Sequence, residues 1–129
     1  MDPIVIARNY TDFGDSQPIE ALALPSYKLR LVTAWMADHM AEPFSLSAVA
    51  ALVGISEFHF NRLFRQGVGM PPSQYQIKLR IETARRLLRE TDASIVAIAN
   101  DVGYSNPSHF SHTFKKETGL SPTEYRRQR

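Results

Sequence analysis

Phe58, Asn61, Arg62 and Arg65 follow one another at i, i+3, i+4 and i+7, a spacing that aligns four side chains on one face of a helix. Their types match the edges of base pairs. Arg can donate to O6 and N7 of guanine, Asn can pair with adenine, and an aromatic ring can meet the methyl group of thymine. Fifty residues later Ser108, Ser111, His112 and Lys115 repeat the spacing with short polar groups, an imidazole and a cation. A solvated helix face is the ordinary meaning of such polar stripes. Solvation explains an outward Phe58 poorly, and Arg62 beside Arg65 suits a polyanion such as DNA.

Other chemistries find less support. His109 and His112 stand three apart on one helix, but no Cys and no well-placed carboxylate supplies a third metal ligand. Ser111 and His112 are adjacent, so on a helix they point about 100° apart and form no dyad. There is no Gly-rich phosphate loop and no G-x-S-x-G elbow. The reading is therefore no enzyme, no cofactor and no metal. His59 and His109 each precede an inward Phe and are read as supports of a helix entrance or as phosphate contacts.

The elements that carry these residues are helical. Leu29, Val32, Trp35, Met36 and Met40 recur at helical spacing until Pro43, predicting a helix over about residues 26–41. Trp35, Met36 and Met40 are read as core rather than as a ligand pocket. Ser45 or Ser47 caps a short helix, "LSAVAALVG", that Gly54 ends, and Ser56 caps the next, with Phe60, Leu63 and Phe64 inward and Gly67 or Gly69 at its end. Pro71 and Pro72 open a long helix to about Glu90, with Ile77, Ile81, Ala84 and Leu88 on one stripe. Ser94 caps "SIVAIANDVG", Asn106 caps another helix with Pro107 at its first position, and "SPTEYRRQR" adds a final turn. Nothing alternates with a period of two, so the fold class is all-α with about seven helices. Residues 1–25 hold turn signals at Pro3, "DFGDSQP" and Pro25, and are read as an arm or linker with a short extended piece at "PIVIA".

The chain repeats itself. Leu46–Ser56 matches Ile95–Ser105 at an offset of 49, and from His59 the offset is 50. Along this register Ala48/Ala97, Ala50/Ala99, Val53/Val102, Gly54/Gly103, Ser56/Ser105, His59/His109, Phe60/Phe110, Phe64/Phe114, Gly69/Gly119, Pro72/Pro122 and Tyr75/Tyr125 are identical. Each copy is a short helix, a tight turn with Gly and a second helix entered through Ser, which is a helix-turn-helix layout. The first copy spans about residues 45–67, the second about 94–118, and the helix over 71–90 links them. That link is about 30 Å long at 1.5 Å per residue. Successive major-groove segments on one face of B-DNA lie about 34 Å apart. One chain could thus present two readers to one side of a duplex.

Charge is divided along the chain. Residues 1–44 hold three Lys/Arg against six Asp/Glu, whereas residues 45–129 hold twelve against seven. A basic C-terminal part suits a polyanionic partner. The N-terminus has no basic start followed by an apolar core, and no apolar run approaches the roughly 20 residues of a membrane span, so a cytoplasmic protein without a membrane partner is expected.

Residues 26–129 resemble the DNA-binding domain of the AraC/XylS family of bacterial transcription regulators. The resemblance is densest in "IANDVGYSNPSHFSHTFKKETGLSPTEYRR", with Gly103, Tyr104, Phe110, Phe114, Lys115, Gly119, Pro122, Tyr125 and Arg126 in place, and it extends to "ISEFHFNRLFR". It implies seven helices with two helix-turn-helix subdomains that read neighbouring major grooves. It also implies activation of transcription through RNA polymerase, and a separate effector-binding or dimerisation domain. Carried over by position, DNA contacts fall to Phe58, Asn61, Arg62 and Arg65 in the first unit, and to Ser108, Ser111, His112 and Lys115 in the second. Family members often have Arg where this chain has His112. Histidine is shorter and, as a type, largely neutral at pH 7, so the first unit is expected to carry more of the specificity. Pro107 also removes a backbone N–H that could face a phosphate. The competing reading is an all-helical protein-interaction module that uses Phe58 and the basic face on a protein.

Overall fold

The computed structural model describes residues 24–129. The expected arm over residues 1–25 lies almost wholly outside them. Among the described residues there are seven helices: α1 (Ser26–Asp38), α2 (Leu46–Leu52), α3 (Glu57–Val68), α4 (Pro72–Glu90), α5 (Ile95–Asp101), α6 (Pro107–Thr118) and α7 (Pro122–Arg127).

Five of the seven described helix starts are set by local side-chain bonds. The Ser45, Ser56 and Ser94 hydroxyls accept from the backbone N–H three residues on, which satisfies a donor with no partner inside the helix. Asn106 Oδ1 accepts from Ser108 and His109, and Ser121 and Glu124 form a reciprocal capping box at α7. The two helix-turn-helix turns are built alike. Ile55 N–H donates to Ala50 O at 3.2 Å, and Tyr104 N–H donates to Ala99 O at 2.8 Å. Between them Gly54 has φ +72° and Gly103 φ +102°, the left-handed region that disfavours a Cβ. Gly69 and Gly119 close α3 and α6 as left-handed C-caps, and Gly67 lies in the last turn of α3.

Each unit has its own core. Val32 and Met36 of α1 join Val49, Ala50, Val53, Phe60 and Phe64, with Tyr75 and Leu79 of α4 packed alongside. Ile81, Ala84 and Leu88 of α4 join Ile98, Ala99, Val102, Tyr104, Phe110 and Phe114. One continuous helix therefore contributes to both cores, Tyr75 and Leu79 to one and Ile77, Ile81, Ala84 and Leu88 to the other. Met36 is core, as its spacing predicts. α7 is fastened to the end of α4 by two guanidinium groups. Arg126 donates to Leu88 O at 3.2 Å and Thr91 O at 3.1 Å, and Arg129 donates to the same carbonyls at 3.3 and 2.7 Å.

One boundary departs from the periodicity. α1 ends at Asp38 rather than near residue 41. The His39 backbone N–H donates to Trp35 O at 3.0 Å, its Nδ1 lies 2.8 Å from the same oxygen, and its ring stacks on Trp35 at 4.0 Å. Beyond it the Met40 and Glu42 carbonyls turn toward α4, where Gln76 and Arg80 bind them. Met40 leaves the α1 stripe and packs against the second core.

Candidate nucleic-acid interface

The interface is set by what α3 and α6 hide. Phe60, Leu63 and Phe64 are buried on α3, and Phe110 and Phe114 on α6. The other side of α3 then presents Phe58, Arg62 and Arg65 to solvent, Phe58 being 80% exposed. On α6, Ser108, His112 and Lys115 are exposed in the same register. Asn61 and Ser111, which are equivalent at the offset of 50, are both half-buried and edge each face. Among the described residues, none of these eight side chains has a hydrogen-bond or ion-pair partner. An 80% exposed phenylalanine gains nothing from water, and a polar face whose donors have no internal partners offers them outward.

Local electrostatics favour cations at the far ends of both helices. Arg65 sits in the last turn of α3, and Lys115 and Lys116 in the last turn of α6, where they offset the negative end of the helix dipole. Pro107 occupies the first turn of α6, so the Asn106 cap serves Ser108 and His109 N–H instead. The His109 ring stands edge-on to Tyr104 at 5.3 Å, a packing role at the helix entrance. Among the described residues no group of three His, Asp or Glu side chains could hold a metal ion, and no helix is long and apolar enough to cross a membrane.

The two units ride on α4, whose 19 residues span about 28 Å. Residues absent from the sequence-derived set also matter to this arrangement. Gln76, the buried polar residue among the described residues, and Arg80 bind carbonyls of the α1–α2 connection beside the turn of the second unit. Their spacing of four along a helix is legible, but their partners lie 34 to 40 residues earlier.

A family model described as a helix-turn-helix domain matches residues 49–128, which takes in α3 through α7 and most of α2. The chain belongs to the AraC/XylS family. It is 37% identical over 114 residues to the HTH-type transcriptional activator RhaS of Enterobacter sp. (strain 638), covering 88% of this chain and 41% of that protein. RhaS of Escherichia fergusonii is 38% identical over 102 residues, with 79% and 37% covered. The chain thus spans about two fifths of the length of these curated relatives. Among solved structures, an AraC-type DNA-binding-domain regulator from Chromobacterium violaceum superposes with a TM-score of 0.74 at 38% identity, covering 79% of this chain and 91% of that one. The DNA-binding domain of AdpA, solved with a target DNA, gives 0.73 at 34% identity, covering 78% and 91%. All four are transcription regulators, and this AraC/XylS chain shares the helical fold of the two solved DNA-binding domains.

Proposed function

We propose that this chain is a sequence-specific double-stranded DNA-binding regulator that activates transcription by placing α3 and α6 in adjacent major-groove segments of one duplex. The observation that carries the reading is the pair of outward faces at equivalent positions of a repeated unit, joined by one helix of about 28 Å. Phe58, Asn61, Arg62 and Arg65 read bases in the first segment, and Ser108, Ser111, His112 and Lys115 contact the second. Base readout is weighted to α3, because Arg62 brings a planar donor fork where α6 has His112. Residues 26–129 form the reading domain. The protein acts in the cytoplasm, is not an enzyme, and contacts RNA polymerase beside the promoter. Effector binding or dimerisation belongs to a domain distinct from the two readers.

Selection from a random duplex library, bound at moderate salt and sequenced, tests this. Two short boxes about one helical turn apart, 10–11 base pairs, are expected. One box would reduce α6 to a backbone anchor. No enrichment from a folded protein would favour the protein-interaction reading. Salt separates the two, because phosphate binding weakens steeply as counterions are released while an apolar protein contact does not.

A further inference from the structure

The two units meet directly as well as through α4, and the contact is one-sided. The turn glycines Gly54 and Gly103 are equivalent, yet their surroundings differ. A Cβ built on Gly54 meets nothing within 4 Å, whereas one built on Gly103 lies 2.7 Å from Ala41 O, 2.8 Å from Ala41 Cα and 2.9 Å from Arg80 Cζ. The segment between α1 and α2, which leads into the first unit, is pressed against the turn of the second.

Four hydrogen bonds hold it there. Gln76 Nε2 donates to Met40 O at 2.8 Å and to Glu42 O at 2.7 Å. Arg80 Nε donates to Met40 O at 2.6 Å, and its Nη2 to Glu42 O at 2.8 Å. Each carbonyl thus receives two donors from α4, and Ala41 between them is fixed against Gly103. The Arg80 guanidinium also lies 5.1 Å from the centre of the Tyr104 ring in the second core. Met40 packs into that core, and Thr83 Oγ1 donates to Met40 Sδ at 3.4 Å. None of these residues lies on the outward faces of α3 or α6.

We propose that Gln76 and Arg80 are positioning residues that lock the orientation of α3 relative to α6, and so select the spacing between the two DNA boxes. This rests on the two-groove reading. Each unit has its own core, so without the strap both stay folded but turn more freely about their shared helix. Two tethered readers gain from each other only where their geometry matches the target, and a rigid pair matches one spacing best. Arginine suits the place because its planar fork meets two carbonyls at once, which a lysine ammonium on a flexible stem does not.

The test uses the whole chain, which contains no cysteine. Spin labels on Gln66→Cys in α3 and Lys116→Cys in α6 report the distance between the helices without DNA. Box spacing is varied one base pair at a time in binding assays. The parent is expected to give a narrow distance distribution and one preferred spacing. Gln76→Leu with Arg80→Met is expected to broaden the distribution. Two-box affinity at the preferred spacing should then fall about tenfold as the effective concentration drops, while single-box affinity changes less than about twofold. An unchanged distribution with unchanged spacing preference overturns the proposal. Should the double variant lose helicity, Arg80→Lys decides, with intermediate broadening expected and none counting against the lock. A parent that binds one box only defeats the two-groove reading instead, and the label distances still judge the lock.

Discussion

Phe114 and Tyr125 meet edge-on, their ring centroids 5.5 Å apart and their planes at 78°. Phe64 and Tyr75 meet the same way at 5.6 Å and 70°. α7 therefore stands to the second unit as the first turns of α4 stand to the first, and the repeat is a set of three helices. Tyr125→Phe keeps the ring pair and loses only an exposed bond, in which Arg89 donates to the hydroxyl at 3.0 Å. It is expected to cost under about 1 kcal/mol. Tyr125→Ala removes the ring and should cost about 2–4 kcal/mol, less than a fully buried aromatic because Tyr125 is half-buried. Urea unfolding of both variants checks the order.

Arg62→Ala should weaken binding to the selected site by about 1–3 kcal/mol and relax preference at one base. An equal loss on all sequences would mean that Arg62 touches phosphate only. His112→Ala should cost less, and the reverse order would overturn the ranking of the two units.

Phe58→Ala should lower affinity for the selected site while leaving the thermal midpoint within about 2 °C, because a side chain 80% exposed contributes little to the core. A large fall in the midpoint would assign Phe58 to packing instead.

Gly54→Ala should cost about 1–2 kcal/mol, the strain of a Cβ at positive φ with open space around it. Gly103→Ala carries the same strain and must also displace the Ala41 backbone, so a larger loss is expected. Comparable losses in urea titrations would show that the contact yields without resistance.

The Glu124 carboxyl is held below its ordinary value of 4.5, first by the Ser121 backbone N–H and then by the Ser121 hydroxyl. Asp92 is held below 3.8, first by its hydrogen bond from Arg129 and then by that residue's charge. A depressed folded-state value means stabilisation present above the unfolded value and lost as pH falls through the folded one. Glu124→Gln should therefore be less stable than the parent at pH 7. The gap should begin to narrow as pH falls below about 4.5 and close only below the lower folded-state value, where the carboxyl is protonated in both states. A gap independent of pH would mean that shape, rather than charge, holds the cap.

The sequence by itself determined the helices, their starts and the repeat, because those depend on near neighbours. Ser45, Ser56, Ser94, Asn106 and Ser121 each cap by a bond to a backbone N–H two or three residues away, and the Phe pairs of α3 and α6 mark an inward face by spacing alone. The outward stripes followed as the remainder of each helix. Tertiary structure decided where α1 stops, that Met40 joins the other unit's core, and that a glutamine and an arginine on α4 tie the two units together. Those outcomes hang on the Met40 and Glu42 carbonyls, whose donors lie 34 to 40 residues away. A backbone carbonyl is the same group at every position, so no side-chain pattern marks which one a distant donor will reach until the cores have packed.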